Sequence, residues 1–388
     1  MKKKVWLYLE PYTFIWNQSE SAYIYNSLSG QGFNFFHSPE TFDIAKNVLN
    51  LDNLYSVEID EQLLNFPKVN EFITQIKNLT VGNLLPYKPI VFPPLLNLQS
   101  DIERLKKDES RSIGEMSLNY LHSLNIKVDL KNKAPKYWEK YTRFIRSIEK
   151  CNIVQLNLQG DNISNNNRSD VFLKELNNLN LRKTFLLSID QTSESLLKWL
   201  TENLNNFNIK ILVEVKFNKS QFFKYIESYK NIRNNLHWKF FVYSEFDYDK
   251  TNAVIEEYNL QNTEIKPIYT GNNLKFFEDN IYLTEEDLEK PGLNRREVFA
   301  HQALNTNDFG KLTIMPDSKV YANLHFPALG TIEDDIRELI YKELTNGQSW
   351  LRIRDMKPCC DCVYQWLCPS PSNYELAIGK PNLCHIKP

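Results

Sequence analysis

The stretch IKILVEVKF at residues 209–217 is an apolar run with the character of a strand. Aliphatic and β-branched residues such as Ile and Val dominate it, as they do in β-strands. Comparable runs begin at five other places, at intervals of roughly 28 residues, near Leu124, Ile153, Lys183, Trp238 and Glu264. Amphipathic stretches separate these runs, and the alternation predicts right-handed β-α-β crossovers and a parallel sheet.

Six strand–helix units are too few for a complete eight-unit barrel. An open doubly wound sheet and a six-unit partial barrel both fit the periodicity. No glycine-rich loop follows the first of these strands, at residues 124–130. The usual sequence signature of a dinucleotide site is therefore missing.

Acidic residues stand at or just past the carboxyl ends of three predicted strands, at Asp161, Asp190 and Glu245. Sheets of this class place their chemistry at that edge, and paired carboxylates can transfer protons there. An enzyme that uses these carboxylates is one hypothesis. The alternative is that the side chains cap the following helices or are solvated.

Residues 1–95 form a segment of different character, with four short aromatic and β-branched runs followed by two helical stretches. The pattern predicts a small sheet and then helices, an α+β module. An extended peptide could add a strand to the edge formed by residues 32–36, beside the helix that begins at Pro39. We expect pockets there to be lined by three aromatic residues, Phe33, Phe35 and Phe36. The alternative is an appended domain that only packs against the rest of the chain.

Composition excludes several classes of protein. The 388 residues, 42% of them apolar, are enough for a large core in two or three domains. A formal charge of -2 and a pI near 6.4 argue against a general binder of nucleic acid or membrane surfaces. No apolar run approaches the roughly 20 residues of a membrane span, and Glu10-Pro11 interrupts the signal-like start. We expect a cytoplasmic protein whose thiols are free to bind metal.

The end of the chain is rich in cysteine. Five of the six cysteines lie between residues 359 and 384, and four of them read C-x₂-C-x₅-C followed by a last cysteine. These four are Cys359, Cys362, Cys368 and Cys384, with Cys360 as a spare neighbour. A C-x₂-C turn lets two thiolates bind one centre, and two more complete an all-sulfur site. The spacing leaves zinc and an iron–sulfur cluster equally open.

The tail and the segment before it resemble the SPASM extension of radical SAM peptide maturases. The run MPDSKVY at 315–321, with Gly330-Thr331-Ile332, is similar to that family's hairpin, and the four cysteines are similar to the ligands of one auxiliary [4Fe–4S] cluster. Two positions depart from the family pattern. Asn323 or Ala322 stands where a hairpin cysteine is expected, and Ser372 replaces a tail cysteine. Both lost positions serve the other auxiliary cluster, so the resemblance implies one cluster rather than two.

The barrel departs from the same family more strongly. The C-x₃-C-x₂-C motif that holds the SAM-cleaving cluster is expected in the loop at 131–141, which contains no cysteine. Gln159-Gly160-Asp161 stands where a Gly-Gly-Glu cradle for SAM is expected, and Cys151 is the only cysteine outside the tail. The resemblance therefore implies no bound SAM, no catalytic residue and no radical chemistry by this chain alone.

The combination resembles the pseudo-radical-SAM proteins of Bacteroidales-type peptide-modification systems, and residues 8–16 and 24–30 match the opening of that group. The resemblance implies a small PqqD-like α+β domain at 1–95, a degenerate partial (β/α)₆ TIM-like barrel at 96–310 and a SPASM-like domain at 311–388. It implies a non-catalytic subunit that forms a heterodimer with a radical SAM/SPASM maturase and helps bind a precursor peptide. The cofactor implied is one [4Fe–4S] cluster, with a zinc-stabilised peptide-binding module as the alternative.

Overall fold

The computed structural model describes residues 4–94, 119–129, 135–148, 151, 153, 155–161, 169–189, 207–214 and 236–386. In chain order the strands are β1 (Lys4–Leu9), β2 (Thr13–Asn17), β3 (Ser21–Asn26), β4 (Gln31–Phe36), β5 (Ser56–Asp60), β6 (Gly82–Leu85), β7 (Ser123–Asp129), β8 (Gln155–Asp161), β9 (Arg182–Ser188), β10 (Phe207–Glu214), β11 (Leu236–Val242), β12 (Thr263–Pro267), β13 (Lys311–Ile314), β14 (Lys319–Tyr321) and β15 (Gly330–Thr331).

The α-helices in the same part of the chain are α1 (Pro39–Leu49), α2 (Pro67–Asn78), α3 (Pro135–Ser147), α4 (Ser169–Asn178), α5 (Glu245–Glu257), α6 (Leu274–Asn280), α7 (Glu285–Glu289), α8 (Arg295–Ala303), α9 (Ile336–Asn346) and α10 (Asn373–Ile378). Short 3₁₀ turns lie at Leu51–Asn53, Glu61–Asn65 and Cys359–Asp361. Two of the amphipathic stretches that separate the predicted strands, at 194–204 and 221–229, lie outside the described residues.

Two compact units account for the described residues. The first unit comprises residues 4–94, 281–307 and 352–386, and the second comprises the described residues between 119 and 280 together with 308–351. The cysteine tail thus belongs to the same unit as the N-terminal segment. Compactness does not test whether a segment folds by itself, so the division into domains at 1–95, 96–310 and 311–388 stays a prediction.

The first unit begins with two small antiparallel sheets, with strand orders β2-β3-β4 and β5-β1-β6. The four predicted strands and both predicted helices are present. The sheet β2-β3-β4 is covered on both faces. Successive side chains of a strand point to opposite faces, so neighbouring residues pack in different cores. In β3, Ala22 and Ile24 pack in the core that includes α1 and α2, whereas Tyr23 and Tyr25 pack with residues of the cysteine tail. This second face is where the candidate site is built.

The second unit is organised around one nine-stranded sheet with the order β12-β11-β10-β9-β8-β7-β13-β14-β15. Strands β7 to β12 pair in parallel with their neighbours in sequence order. A doubly wound sheet would reverse its strand order at a switch point, and these six strands do not reverse. The mostly parallel α/β sheet is therefore confirmed, in the consecutive order expected of a six-unit partial barrel.

The hairpin β13–β14 extends this sheet beside β7, to which β13 pairs in parallel. Its turn is closed by a hydrogen bond from Ser318 N to Met315 O of 2.8 Å, with Ser318 in the left-handed region at φ 69°. The segment that follows β15 becomes helical at Ile336. Thr331 and Asp334 form a turn, and the Asp335 side chain accepts the Arg337 backbone N–H as the helix cap. These residues end one element and start the next, so they are not available to the helix itself.

Within the described residues, every helix is too short or too polar to cross a membrane. The cytoplasmic location stays a prediction.

Candidate functional site: a cavity walled by four cysteines

The four cysteines singled out by spacing line one cavity in the first unit. Cys359 is buried, and Cys362, Cys368 and Cys384 are half-buried. We call this space, which Arg354 and Tyr364 also line, the cysteine cavity. Cys360 is not in its wall, and its thiol lies 3.6 Å from Asp361 Oδ1 instead. The structure therefore brings together the four predicted ligands and leaves the spare cysteine outside.

Local backbone geometry gathers the first three thiols. The 3₁₀ turn Cys359–Asp361 is closed by a hydrogen bond from Cys362 N to Cys359 O of 3.1 Å, which folds the C-x₂-C pair back on itself. Cys368 N then donates to Tyr364 O at 2.9 Å. Two consecutive tight turns thus aim three side chains into one small volume.

The fourth thiol, that of Cys384, is held in place by a distant part of the chain. Leu283 N donates to Leu383 O at 3.0 Å, and His385 N donates to Leu283 O at 2.9 Å. This isolated bridge fixes the backbone around Cys384 from both sides. Spacing alone did not reveal the anchoring strand at Leu283, because a single bridge leaves no periodic signal in the sequence.

The wall of the cysteine cavity is fastened to the N-terminal sheet by aromatic packing. Tyr23 and Tyr364 pack with ring centroids 4.8 Å apart, and Tyr25 Oη donates to Leu293 O at 2.6 Å. Apolar side chains on both sides of this contact complete a core of their own: Phe14, Trp16, Val363, Leu367, Leu288 and Val298. The apolar run at 363–367 that follows the C-x₂-C turn therefore packs inward against β2 and β3.

Burial governs the protonation of the thiols. It raises the pKa of Cys368 to about 12 and raises the pKa values of Cys359 and Cys362, although the nearby Arg354 guanidinium acts in the opposite direction. At neutral pH these three groups are thiols. Metal ligation requires thiolates, so binding would release protons and would be weakened by acid.

The donor set suits an all-thiolate centre. Neither a carboxylate nor an imidazole lines the cysteine cavity among the described residues, and soft sulfur ligands are typical of zinc and iron–sulfur centres. In the same residues, no three Cys, His, Asp or Glu side chains are grouped as ligands of a single ion. The cavity volume is about 20 Å³, so the thiols must turn outward to admit a cluster. The chemistry of the wall fits the expected cofactor, whereas the thiol positions are not those of a formed centre.

The two positions that lack the family's cysteines have other partners. In the second unit, Asn323 is buried and its Nδ2 donates to Asp308 Oδ2 at 2.9 Å, which also accepts from Ser349 Oγ at 3.1 Å. In the first unit, Ser372 caps helix α10 through a reciprocal capping box with Glu375. Hydrogen bonding within the protein thus replaces ligation at both positions.

The predicted peptide edge is β4, which within the described residues pairs only with β3. Phe35 is buried against Phe72, with ring centroids 4.9 Å apart, and Phe33 is half-buried against the same core. Phe36 is 68% exposed. Of the three aromatic residues expected to line pockets, Phe36 is therefore the one whose ring faces solvent. Phe35 and Phe36 differ in exposure because successive side chains of a strand point to opposite faces.

A cleft of about 500 Å³ lies beside this edge and is here called the β4 cleft. Residues 18–21 of the β2–β3 turn form one side, Asn34 and Phe36 form another, and residues 361–364 of the cysteine loop form a third. Cys362 and Tyr364 line both the β4 cleft and the cysteine cavity. A molecule in the cleft would therefore lie against the wall of the cysteine cavity. Sequence reasoning missed this cleft because its sides come from distant segments.

The grouping of the three acidic residues of the barrel hypothesis stays a prediction. Asp161 is the last residue of β8, and Asp190 lies outside the described residues. Glu245 is exposed in the first turn of α5, whose cap is Ser244. An acidic side chain at this position favours the start of a helix. Part of the loop at 131–141, where the family carries its cluster motif, is the beginning of α3.

Comparison with known proteins leaves the family open. No protein-family model matches the chain, and no curated protein matches it. Among solved structures, Streptococcus suis SuiB has 12% identity and a TM-score of 0.43, covering 98% of this chain and 100% of that chain. SuiB bound to S-adenosylmethionine has 10% identity and a TM-score of 0.39, covering 98% and 99%. SuiB bound to precursor peptide SuiA has 12% identity and a TM-score of 0.42, again covering 98% and 99%. These TM-scores are too low to support a conclusion about ligands or activity.

Proposed function

We propose that this chain is a non-catalytic partner of a radical SAM/SPASM peptide maturase, and that it carries one [4Fe–4S] cluster on Cys359, Cys362, Cys368 and Cys384. One observation carries the proposal: these four cysteines, and not Cys360, line a single cavity. The sequence resemblance assigns the same four residues to one auxiliary cluster and provides no ligands for a SAM-cleaving one. The cluster would supply structural cross-linking of the tail, or a path for electrons to the maturase.

The peptide would bind at the free edge of β4. An extended segment can hydrogen-bond to an unpaired strand, and side chains that alternate along it can enter adjoining pockets. Asn34 and Phe36 lie two residues apart on β4 and both line the β4 cleft, so they present one face to such a segment. Phe36 would be the aromatic anchor. The segment would then pass beside the cysteine loop.

Zinc is the second candidate for the cysteine cavity. A volume of about 20 Å³ has room for a single ion but not for a four-iron cube without side-chain movement. A structural zinc ion bound by four cysteines would stabilise the first unit in the same way as a cluster. The role as peptide-binding partner does not depend on which of the two is bound.

The test is anaerobic co-expression of this chain with the maturase proposed as its partner and with the precursor peptide of that maturase. We expect a one-to-one complex on size exclusion, about four irons and four sulfides in this subunit, and absorbance near about 400 nm. One zinc per chain with no sulfide would select the zinc module instead. If only free protein is recovered while maturase and precursor are both present, the partner role is wrong.

Peptide binding is tested separately with Phe36→Ala, and Phe66→Ala is the matched control. Both side chains are exposed, at 68% and 47%, but Phe66 lies at the start of α2 and does not line the β4 cleft. We expect Phe36→Ala to weaken binding of a fluorescent precursor peptide about tenfold, since an anchoring aromatic contributes 1–2 kcal/mol or more. Equal affinities for the two variants would place the peptide elsewhere.

A further inference from the structure

Arg354 is a buried cation in the wall of the cysteine cavity. Its side chain and that of Glu375 are each 6% exposed, and Arg354 Nη2 lies 2.8 Å from Glu375 Oε1. Arg354 Nε donates to Pro369 O, and Nη1 lies 3.8 Å from Cys359 Sγ. The guanidinium is thus shared between a carboxylate, a carbonyl and a predicted ligand thiol.

Neighbouring residues fix the direction of this guanidinium. Glu375 is itself held by the cap of α10, where its second oxygen accepts from Ser372 N and Oγ. The Arg354 carbonyl accepts from Gln365 Nε2 at 2.6 Å, which anchors its backbone to the cysteine loop. Nε and Nη2 of the guanidinium are thus held by Pro369 O and Glu375. Nη1 is the nitrogen left for the thiol, so the contact with Cys359 is preorganised.

The charge of Arg354 is maintained in this environment. Guanidinium groups stay protonated in proteins, and the ion pair with Glu375 at 2.8 Å favours the charged form. Glu375 does not line the cysteine cavity, whereas Arg354 does. A centre bound to the thiols would therefore have the positive end of the Arg354–Glu375 pair next to it.

We propose that Arg354 is a positioning residue that raises the reduction potential of the cluster through its contact with Cys359, and that Glu375 limits the size of this effect. The inference rests on the proposed cluster. A reduced cluster carries one more negative charge than an oxidised one, so a fixed neighbouring cation stabilises the reduced form. A carboxylate on the far side of the cation weakens the same field.

The experiment measures cluster content first and midpoint potential second, on the full chain co-purified with the maturase without oxygen. We expect Arg354→Gln to shift the potential to more negative values and Glu375→Gln to shift it to more positive values. Gln at position 375 can still complete the capping box. Arg354→Lys keeps the charge and should stay near the wild-type potential. Arg352→Gln is the control, because Arg352 donates to Pro371 O at 3.0 Å and does not line the cysteine cavity.

Midpoint potentials that shift in opposite directions for Arg354→Gln and Glu375→Gln, both at full iron content, support the proposal. Loss of packing alone would not make the direction of the shift follow the sign of the charge that was removed. Unchanged potentials, or shifts in one direction for both variants, overturn it while the proposed cluster stands. If Arg354→Gln does not fold, a more positive potential in Glu375→Gln together with an unchanged potential in Arg354→Lys supports the proposal. An unchanged or more negative potential in Glu375→Gln overturns it. Absence of iron from the wild-type complex overturns the proposed cluster and this inference together.

Discussion

The cysteine cavity of the first unit and the buried polar network of the second are both places where the family pattern expects cysteine. In the network, Asp308 accepts from Asn323 and Ser349, and Glu343 Oε1 accepts from the backbone N–H groups of Ser349 and Trp350. Its acceptors are satisfied by donors of the protein itself. In the cysteine cavity Cys359 Sγ lies 4.0 Å from Pro381 O, whereas Asn382 Nδ2 donates to Cys384 Sγ at 3.1 Å.

The difference separates two ways to stabilise a buried polar centre. Hydrogen bonds that close within the protein need no ligand. The four thiols would gain further stabilisation from the proposed centre, because metal binding energy contributes to folding. Metal dependence is therefore expected in the first unit and not in the second, and each prediction below tests that separation.

The largest effect is expected from Cys362→Ala combined with Cys368→Ala. Two of four ligands are lost, so iron or zinc should fall to background. Because structural metal sites contribute about 10–16 kcal/mol of apparent binding energy in small domains, the cysteine tail should lose its protection from hydrogen exchange. Strands β7 to β13 should remain protected, and Cys360→Ala should retain both metal and protection. Loss of protection in both units would contradict the separation.

Asp308→Ala should destabilise the second unit without changing metal content. The substitution leaves the buried donors of Asn323 and Ser349 without this acceptor, at a cost of about 2–4 kcal/mol in the free energy of unfolding. Denaturant unfolding measures the change. Asp249→Ala, at an exposed position in α5, is the control and should cost less than about 0.5 kcal/mol. Release of metal by Asp308→Ala would show that the two regions are coupled.

Introducing the cysteine that the resemblance would place in the hairpin, with Asn323→Cys, should not add a metal centre. One thiol cannot hold a cluster alone, and it replaces an amide donor to Asp308 at a cost of about 1–2 kcal/mol. Iron and sulfide per chain should equal the wild-type values. Asn323→Ser is the companion variant, since its hydroxyl can still donate. Additional sulfide in the cysteine variant would contradict the prediction.

The smallest effect is expected from Glu343→Gln and concerns pH. Burial raises the pKa of Glu343 even though two backbone N–H groups lower it. The folded state therefore binds this proton more tightly than the unfolded state. The associated stability is fully present below about pH 4.5 and is lost as pH rises through the folded pKa. The difference in unfolding free energy between wild type and variant should decline over that interval. A difference in unfolding free energy that grows with pH would contradict a raised pKa of Glu343 in the folded state.

Local patterns were enough for much of the fold. The apolar runs located the six parallel strands, and the run at 315–321 located the hairpin that extends the sheet. Strands β5 and β6 were missed, since a short run such as Gly82–Leu85 carries too few side chains to show alternation. The cysteine spacing identified the residues of the cavity because thiol geometry is local to a C-x₂-C turn.

Long-range packing was not predictable from the same patterns. Arg354 was overlooked because nothing in its neighbours announces burial, and its partners Pro369 and Glu375 are brought to it by the fold. Alternation in β3 identified two faces but not that the cysteine tail covers one of them. The burial of Phe35 against Phe72 was not foreseen for the same reason.

The seating of the tail on the N-terminal sheet has a consequence for biosynthesis. Gln18 Nε2 donates to Cys360 O at 3.2 Å across a separation of 342 residues. At about 5–20 residues per second, a ribosome needs roughly 20 to 70 s to cover that distance. Throughout this delay the nascent chain lacks the segment that packs against Trp16 and Tyr23. These aromatic side chains therefore form an exposed surface that can aggregate or bind a chaperone. The proposed four-cysteine centre could be completed only after Cys384 has been translated, later than the emergence of the sheet.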